Sequence, residues 1–392
     1  FDARKARTRA LDAGFRDEQI VRYAVRPFDT RWCYYTDARP IWNEPRPALW
    51  AQRFDSNHFI ATRPAGVANP EGIPFMFTAA LGDNDALRGH AYYFPLGLNQ
   101  SRPEAANGHL FGADDSTLHN YSPTVAGYLE ALGETAAQSS AADIWLHTLA
   151  IGYSPAYLEE NADGIRQNWP RIPLPSSQEQ FRASAALGQR VADLLDTEKP
   201  VAGVTAGALR QELRSVAGLR RMDGKPLHAE EDLQLTAGWG HAGKEGVTMP
   251  GRGKLLSRER TAKELAELTH GLAALGIPQD EGLKRLGSTV VDVYLNDFCA
   301  WTNVPEQVWE VYIGGYQVMK KWLSYREYSF LKRPLTLAEA EEVQAMARRL
   351  TALCLLQPEL DANYQKVKSA TWHVQSDLHS IGDAARTGLA GI

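Results

Sequence analysis

Cysteine is scarce in this chain: Cys33, Cys299 and Cys354 are the only three among 392 residues, and no two stand at Cys-x-x-Cys spacing. A zinc ribbon and a disulfide framework are both unsupported, and buried, reduced thiols are expected. None of the ten histidines lies four residues from another, so the ligand pair of a helical metal site is missing too. No uninterrupted apolar run approaches a membrane span, and the opening FDARKARTRALDAGF has no apolar signal-peptide core. A cytoplasmic location is the default expectation. Nucleophilic hydrolysis is poorly supplied as well. Gly152-Tyr-Ser154 begins like a nucleophile elbow, but Ala156 stands where that turn needs glycine. The acidic clusters Glu159-Glu160 and Glu230-Glu231-Asp232 fall in polar surroundings, where solvated carboxylates are expected.

What is present is an ordinary globular composition, 44% hydrophobic and 23% charged, in a chain long enough for two or three subdomains. IVRYAVR, RWCYY, HFIATR, IPFMFTA and HAYYFPL each read as a strand, which predicts a β-rich subdomain over residues 1–120. Beyond a Gly/Asn/Asp-rich connector (97–118), helical periodicity takes over. Ser122-Pro123 reads as an N-cap followed by proline at the first helical position, and Ile144, Leu146, Leu149 and Ile151 mark a second apolar stretch. Ser176 and Glu179 have capping-box spacing ahead of a helix with Phe181, Ala185, Gly188, Val191 and Leu195 on one face. These define a helical subdomain over 121–200.

Residues 201–330 form a glycine-rich part of short strands and loops. Within it Thr261 and Glu264 are a second capping box, opening a helix with Leu265, Leu268 and Leu272, and Val290, Val291, Val293 and Tyr294 predict a buried strand. A third box, Thr336 and Glu339, opens the clearest helix, with Val343, Met346, Leu350, Leu353 and Cys354 at core spacing. Residues 331–392 are thus C-terminal helices with a frayed tail after Ser380. The predicted class is α+β: a β-rich N-terminal part, a helical middle, a basic glycine-rich α/β part and a C-terminal helical pair.

A net charge of −5 is the wrong sign for a dedicated nucleic-acid binder, yet the positive charge is clustered. Lys244, Arg252, Lys254, Arg258, Arg260 and Lys263 face only Glu245 and Glu259 over residues 244–263. Gly238-Trp-Gly-His-Ala-Gly243-Lys244 matches the opening of a phosphate-binding loop, but Glu245 replaces the hydroxyl that must hold magnesium. Two readings stay open. One is a mobile surface loop; the other is a glycine loop whose amides and cations Lys244, Arg252 and Lys254 approach a nucleic-acid backbone or groove. Arg252 and Arg258 are candidates for bidentate contact with guanine.

A second cluster, Trp309 to Glu327 (WEVYIGGYQVMKKWLSYRE), packs two adjacent glycines, five aromatics and a Lys-Lys pair into nineteen positions. It reads either as an amphipathic helix with a solvated basic face, or as aromatic platforms beside phosphate-binding cations, with Lys320, Lys321, Tyr325 and Arg326 as the candidates. Upstream, Asp29 is placed to pair with a neighbouring arginine, Arg26 or Arg31, and so fix a turn beside which Trp32, Tyr34 and Tyr35 would pack.

RYAVRPFDTRWCYY (22–35), NWPRIPLP (168–175), GWGHAGKEGVTMPGRGK (238–254), DVYLNDFCAWTNVPEQVW (292–309) and IGGYQVMKKWLSYRE (313–327) follow one another in this order. Together they resemble the C-terminal target-recognition region of type ISP restriction–modification enzymes and of related large adenine-N6 DNA methyltransferases of phage-defence systems. The resemblance spans nearly the whole chain. Members of that family carry, upstream, a methyltransferase domain with an Asn-Pro-Pro-Tyr-type motif, often with nuclease and ATPase domains. Here the only Asn-Pro pair, Asn69-Pro70, continues as Glu71-Gly72, and no glycine-rich loop reads as an S-adenosylmethionine site.

The resemblance therefore implies a specificity region, as a fragment or a separate subunit, that is non-catalytic by itself and binds double-stranded DNA. Lys244, Arg252, Lys254, Arg258, Arg260, Lys320, Lys321, Tyr325 and Arg326 would make the contacts. A methyltransferase domain or subunit, docked near residues 1–120 and using S-adenosylmethionine, would modify one adenine. The alternative is a protein–protein docking module that couples a methyltransferase to other defence subunits through aromatic anchors.

Overall fold

The computed structural model describes residues 2–42, 44–55, 57–99, 118–134, 142–244 and 247–372. Most of the glycine-rich connector, and the tail after Ser380, lie outside them. Helix α1 (Ala3–Ala13) starts at Asp2, whose carboxylate accepts the backbone N–H of Arg4 and Lys5. All five expected strands follow. Strands β1 (Ile20–Arg26) and β2 (Asp29–Tyr34) form an antiparallel hairpin, and β3 (Phe59–Thr62) lies between β4 (Met76–Thr78) and β5 (Tyr92–Pro95) in a three-stranded sheet. Trp32 corrects one expectation: it is 68% exposed, with Arg22 rather than a core neighbour against its ring.

In the helical middle, α2 (Pro123–Ala131) opens at Ser122, whose hydroxyl accepts from the Val125 N–H. Helices α3 (Asp143–Gly152) and α4 (Gln178–Leu195) cross at backbone contact, because a Cβ on Gly188 would lie 1.8 Å from the Leu146 carbonyl oxygen. The cap of α4 is Ser177, one residue beyond the expected Ser176. Ser176 is drawn elsewhere: its N–H donates to Ala370, which ties the proline-rich segment to the end of the last helix.

His147 on α3 is fully buried and fixes this junction. Its Nε2–H donates to the Pro173 carbonyl at 2.9 Å, and its Nδ1 accepts from Ser184, which in turn accepts from Asn363. Burial outweighs the Pro173 bond and holds the imidazole at about 4, against an ordinary 6.5. Below pH 6.5 an unfolded chain therefore binds a proton that the folded chain refuses. Stability is complete above that pH and falls by about 3 kcal/mol as pH drops through the window towards 4. Urea midpoints measured from pH 7 to pH 4.5 should fall in the wild type and run flatter in His147→Gln.

Downstream come β6 (Gly218–Arg221), β7 (Gly240–Ala242), β8 (Thr248–Pro250), β9 (Leu255–Glu259), α5 (Ala262–Ala274) and α6 (Gln279–Leu286). Then follow β10 (Thr289–Tyr294), β11 (Cys299–Pro305), β12 (Tyr312–Ile313), β13 (Tyr316–Gln317), α7 (Val318–Ser324) and α8 (Leu337–Ser369). A four-stranded antiparallel sheet runs β9-β10-β11-β6. Both remaining capping boxes, Thr261 with Glu264 and Thr336 with Glu339, are formed. Asp232 departs from expectation. It is buried under Arg221 at 2.6 Å, and the His228 N–H together with that guanidinium holds its carboxyl below the usual range.

The 33-residue α8 runs through the interior, with eight consecutive residues, Arg349 to Leu356, buried. A helix enclosed on every side has no solvent stripe. Within it Arg349 donates to the carbonyls of Asp193, Leu194 and Lys199 at and beyond the end of α4, which satisfies acceptors that a helix end leaves open. One apolar core runs from Ala24 to Leu360 and draws on the sheets and on most of the helices. The architecture is α+β, as the sequence predicts.

Candidate nucleic-acid interface

Within the glycine-rich segment, β7 and β8 pair as antiparallel strands over a buried tryptophan. Trp239 is completely enclosed, donates its indole N–H to Tyr294 at 2.8 Å and tilts against Trp309. The glycines let the backbone close around it. A Cβ on Gly253, where φ is +70°, would fall 2.1 Å from the Trp239 ring, and one on Gly251 would fall 2.1 Å from the Gly238 carbonyl oxygen. Nor do the Gly238 and Trp239 amides face outward, as the sequence reading allowed. Gly238 and Trp239 donate to the buried carboxylate of Glu327, whose pKa burial raises against those same bonds.

What the hairpin presents outward is side chains. Lys244 and Arg252 are exposed, and Arg252 has no hydrogen bond or ion pair among the described residues. Lys254 is partly engaged, pairing with exposed Asp297 at 2.9 Å and lying over Tyr294. Val247 and Met249 are exposed apolar neighbours.

Arg258 and Arg260 are placed differently. Arg258 is forked between Glu264 and Asp292, with four contacts of 2.8 to 3.1 Å. The Glu264 bond, aided by Asp292, raises the arginine's pKa, while Arg258 and Thr261 overcome burial to hold Glu264 at about 2. This network ties β9 to β10 and to the cap of α5, so Arg258 has no free fork for guanine. Arg260 is half-buried and donates to the Gly287 carbonyl, burial lowering its pKa.

Trp309 to Glu327 is neither one helix nor a row of platforms. Trp309 and Trp322 are core residues. Gly314 and Gly315, with φ of 53° and 80°, make the two-residue turn between β12 and β13, a geometry that favours glycine at both places. Helix α7 then packs between two hairpins. Its C-terminal Ser324 carbonyl oxygen would lie 2.1 Å from a Cβ on Gly240, while Arg326 just beyond reaches β2. Arg326 is buried over Trp322 and bonds both carboxylate oxygens of Asp29, at 2.8 and 3.2 Å. Asp29 also takes a bidentate pair from Arg31 at 2.6 and 2.9 Å. The predicted arginine pair of Asp29 exists, and Arg326 is its unforeseen second partner rather than a free cation.

Lys320 is half-buried, whereas Lys321 is 8% exposed, 4.4 Å from the Tyr325 ring centroid and 5.1 Å from that of Tyr316. Arg26 lies over the same two rings at 5.3 and 5.5 Å, and Arg31 over Tyr325 at 5.3 Å. Sequence reasoning named Lys321 and Tyr325 but missed Tyr316 and the cationic role of Arg26. Separation along the chain hid Arg26, although the arginine in RYAVRPFD was a visible signal.

The α+β scaffold turns a basic hairpin outward, and the described residues hold no group of three or more candidate metal ligands. The comparisons define it further. The chain belongs to the family of the type ISP C-terminal specificity domain, whose model matches residues 2–237 and 253–352. The family pattern thus stops just before the hairpin and resumes at Gly253, so Lys244 and Arg252 lie outside it. None of the curated proteins compared with the chain matches it.

Among solved structures, the chain is similar to part of DrdV in a DrdV–DNA complex, at 18% identity and a TM-score of 0.52, covering 89% of this chain and 28% of that one. It is also similar to part of a nuclease-deletion mutant of the Type ISP restriction-modification enzyme LlaGI in complex with a DNA substrate mimic, at 13% identity and a TM-score of 0.47, covering 90% and 25%. The chain spans about a quarter of the length of these structures.

Proposed function

We propose that this chain recognises a double-stranded DNA target for a restriction–modification enzyme, with the β7–β8 hairpin entering a groove. Family membership supports the reading, as does the DNA in the DrdV complex. The observation that supports a place on the surface is exposed Arg252, without a partner among the described residues, on a hairpin anchored through Trp239 and Glu327. Backbone cations would set the register and Arg252 would read a base edge. The bound register would then present one adenine to an N6-methyltransferase domain or subunit of a phage-defence system. S-adenosylmethionine would be bound there, outside this chain. Leu11, Phe15, Ile20 and Trp32 are exposed, and that partner would dock on apolar side chains of this kind in the N-terminal part.

Double substitution of Arg252 and Lys254 by alanine should weaken binding to a cognate duplex by about tenfold to a hundredfold and make the log-affinity against log-salt slope shallower by about two. The melting temperature should hold, because both side chains are outside the core and the Lys254–Asp297 pair is solvent-exposed. Unchanged affinity in the folded variant would remove the hairpin from the contact surface. Binding insensitive to salt would favour the docking module.

A further inference from the structure

Beside the hairpin, where β1, β13 and α7 meet, cationic side chains gather around two tyrosine rings. The Lys321 side chain is largely enclosed, its ammonium lies against the Tyr316 and Tyr325 rings, and it has no hydrogen bond or ion pair among the described residues. Over the same rings lies Arg26, whose Nη1 donates to the Val25 carbonyl at 2.5 Å and whose Nε is buried without a partner among the described residues. Arg88 is brought alongside by the twin-glycine turn: its backbone N–H donates to the Gly314 carbonyl at 2.9 Å, and its Cβ lies 3.2 Å from where a Cβ on Gly315 would stand. Arg88 is exposed, and its side chain has no bonded partner among the described residues.

The carboxylates nearby do not balance these charges. Asp29 is saturated by Arg31 and Arg326, and Glu342 lies 3.8 Å from Arg326. Asp85 is exposed and lies 3.2 Å from His90. Asp83 is the one carboxylate among the described residues within ion-pair distance of Arg26, Arg88 or Lys321, and it reaches Arg26, at 3.4 Å. Enclosing a cation without a counter-ion is costly, and Lys321 has no ion pair among the described residues.

We infer that Lys321, Arg26 and Arg88 form a seat for one phosphate, with Tyr316 and Tyr325 as its walls, and that the phosphate is one of the DNA backbone. The inference rests on the proposed DNA recognition and adds to it a contact that fixes register without reading sequence. Such a seat carries a pH signature. Burial, with the fields of Arg26 and Arg88 and against that of Asp29, holds the free Lys321 amine at about 8. A bound phosphate restores the charged form, so binding takes up a proton above that pH. Burial raises both tyrosine hydroxyls, which keeps them neutral through the window.

The test is titration of the full chain with a short duplex at pH 7 and pH 9.5, and separately with inorganic phosphate followed by calorimetry. Wild-type duplex affinity should fall between the two pH values, by up to about tenfold per unit above pH 8. Lys321→Met, which keeps an apolar stem in the helix, should bind duplex about tenfold more weakly at pH 7. Its salt slope should be shallower by about one, its pH dependence lost and its phosphate heat absent. Arg88→Ala should weaken duplex binding in the same sense with an unchanged melt. If both variants keep wild-type duplex affinity and salt slope, the seat is wrong while DNA recognition stands. If the wild type binds inorganic phosphate through Lys321 but no duplex, the backbone assignment and the DNA reading both fail.

Discussion

Replacing Asp29 with alanine should cost the fold about 3–5 kcal/mol, the scale of breaking a buried ion pair from one side. Its carboxylate is 1% exposed and is held by two bidentate arginines, one two residues away on the same strand and one 297 residues away. Burial works against its charged form, yet the Arg31 bonds and the Arg326 charge and bonds outweigh it and hold the carboxyl below its usual range. Removing the carboxylate leaves Arg326 buried, with Glu342 at 3.8 Å as its nearest counter-charge. Equilibrium urea unfolding gives the answer. A loss under about 1 kcal/mol, the ordinary value for a surface pair, would mean that the β1–β2 hairpin is not fastened to α7 through this residue.

The second large effect is expected at Trp239. Truncation to alanine empties a fully enclosed site and removes the indole bond to Tyr294, at about 3–5 kcal/mol for a buried large aromatic. The consequence reaches function, because Gly251 and Gly253 close directly onto this ring and its neighbouring backbone. Without the ring the hairpin loses its floor, and Arg252 its fixed direction. Duplex affinity should therefore fall further than in the Arg252 and Lys254 double variant, and limited proteolysis should cut within 240–252. Trp239→Phe should retain most of the packing and lose about 1 kcal/mol with the hydrogen bond. A truncated variant that resists protease and binds duplex normally would show that the hairpin holds its shape by itself.

The strands from β1 to β5 and the capping boxes at Thr261 and Thr336 were legible because each is a local matter. Alternation of side chains and reciprocal caps act over a few residues. Ser176 misled because its backbone is claimed by Ala370, far along the chain. The charges were least legible of all. Arg252, Arg258 and Arg326 look alike in sequence, yet one is exposed with no partner among the described residues, one is forked between Glu264 and Asp292, and one is buried on Trp322 with Asp29. Gly251 and Gly253 read as freedom of movement and proved to be close approach to Trp239 and its neighbouring backbone.

By itself the sequence determined the α+β class, the order of most elements and the family, since these rest on periodicity, caps and long blocks of unusual composition. Tertiary structure alone decided which cations can meet a ligand. A guanidinium is available or committed according to the carboxylates brought within about 3 Å of it, the reach of a charge-assisted hydrogen bond, and in this chain the decisive partner can stand 297 residues away.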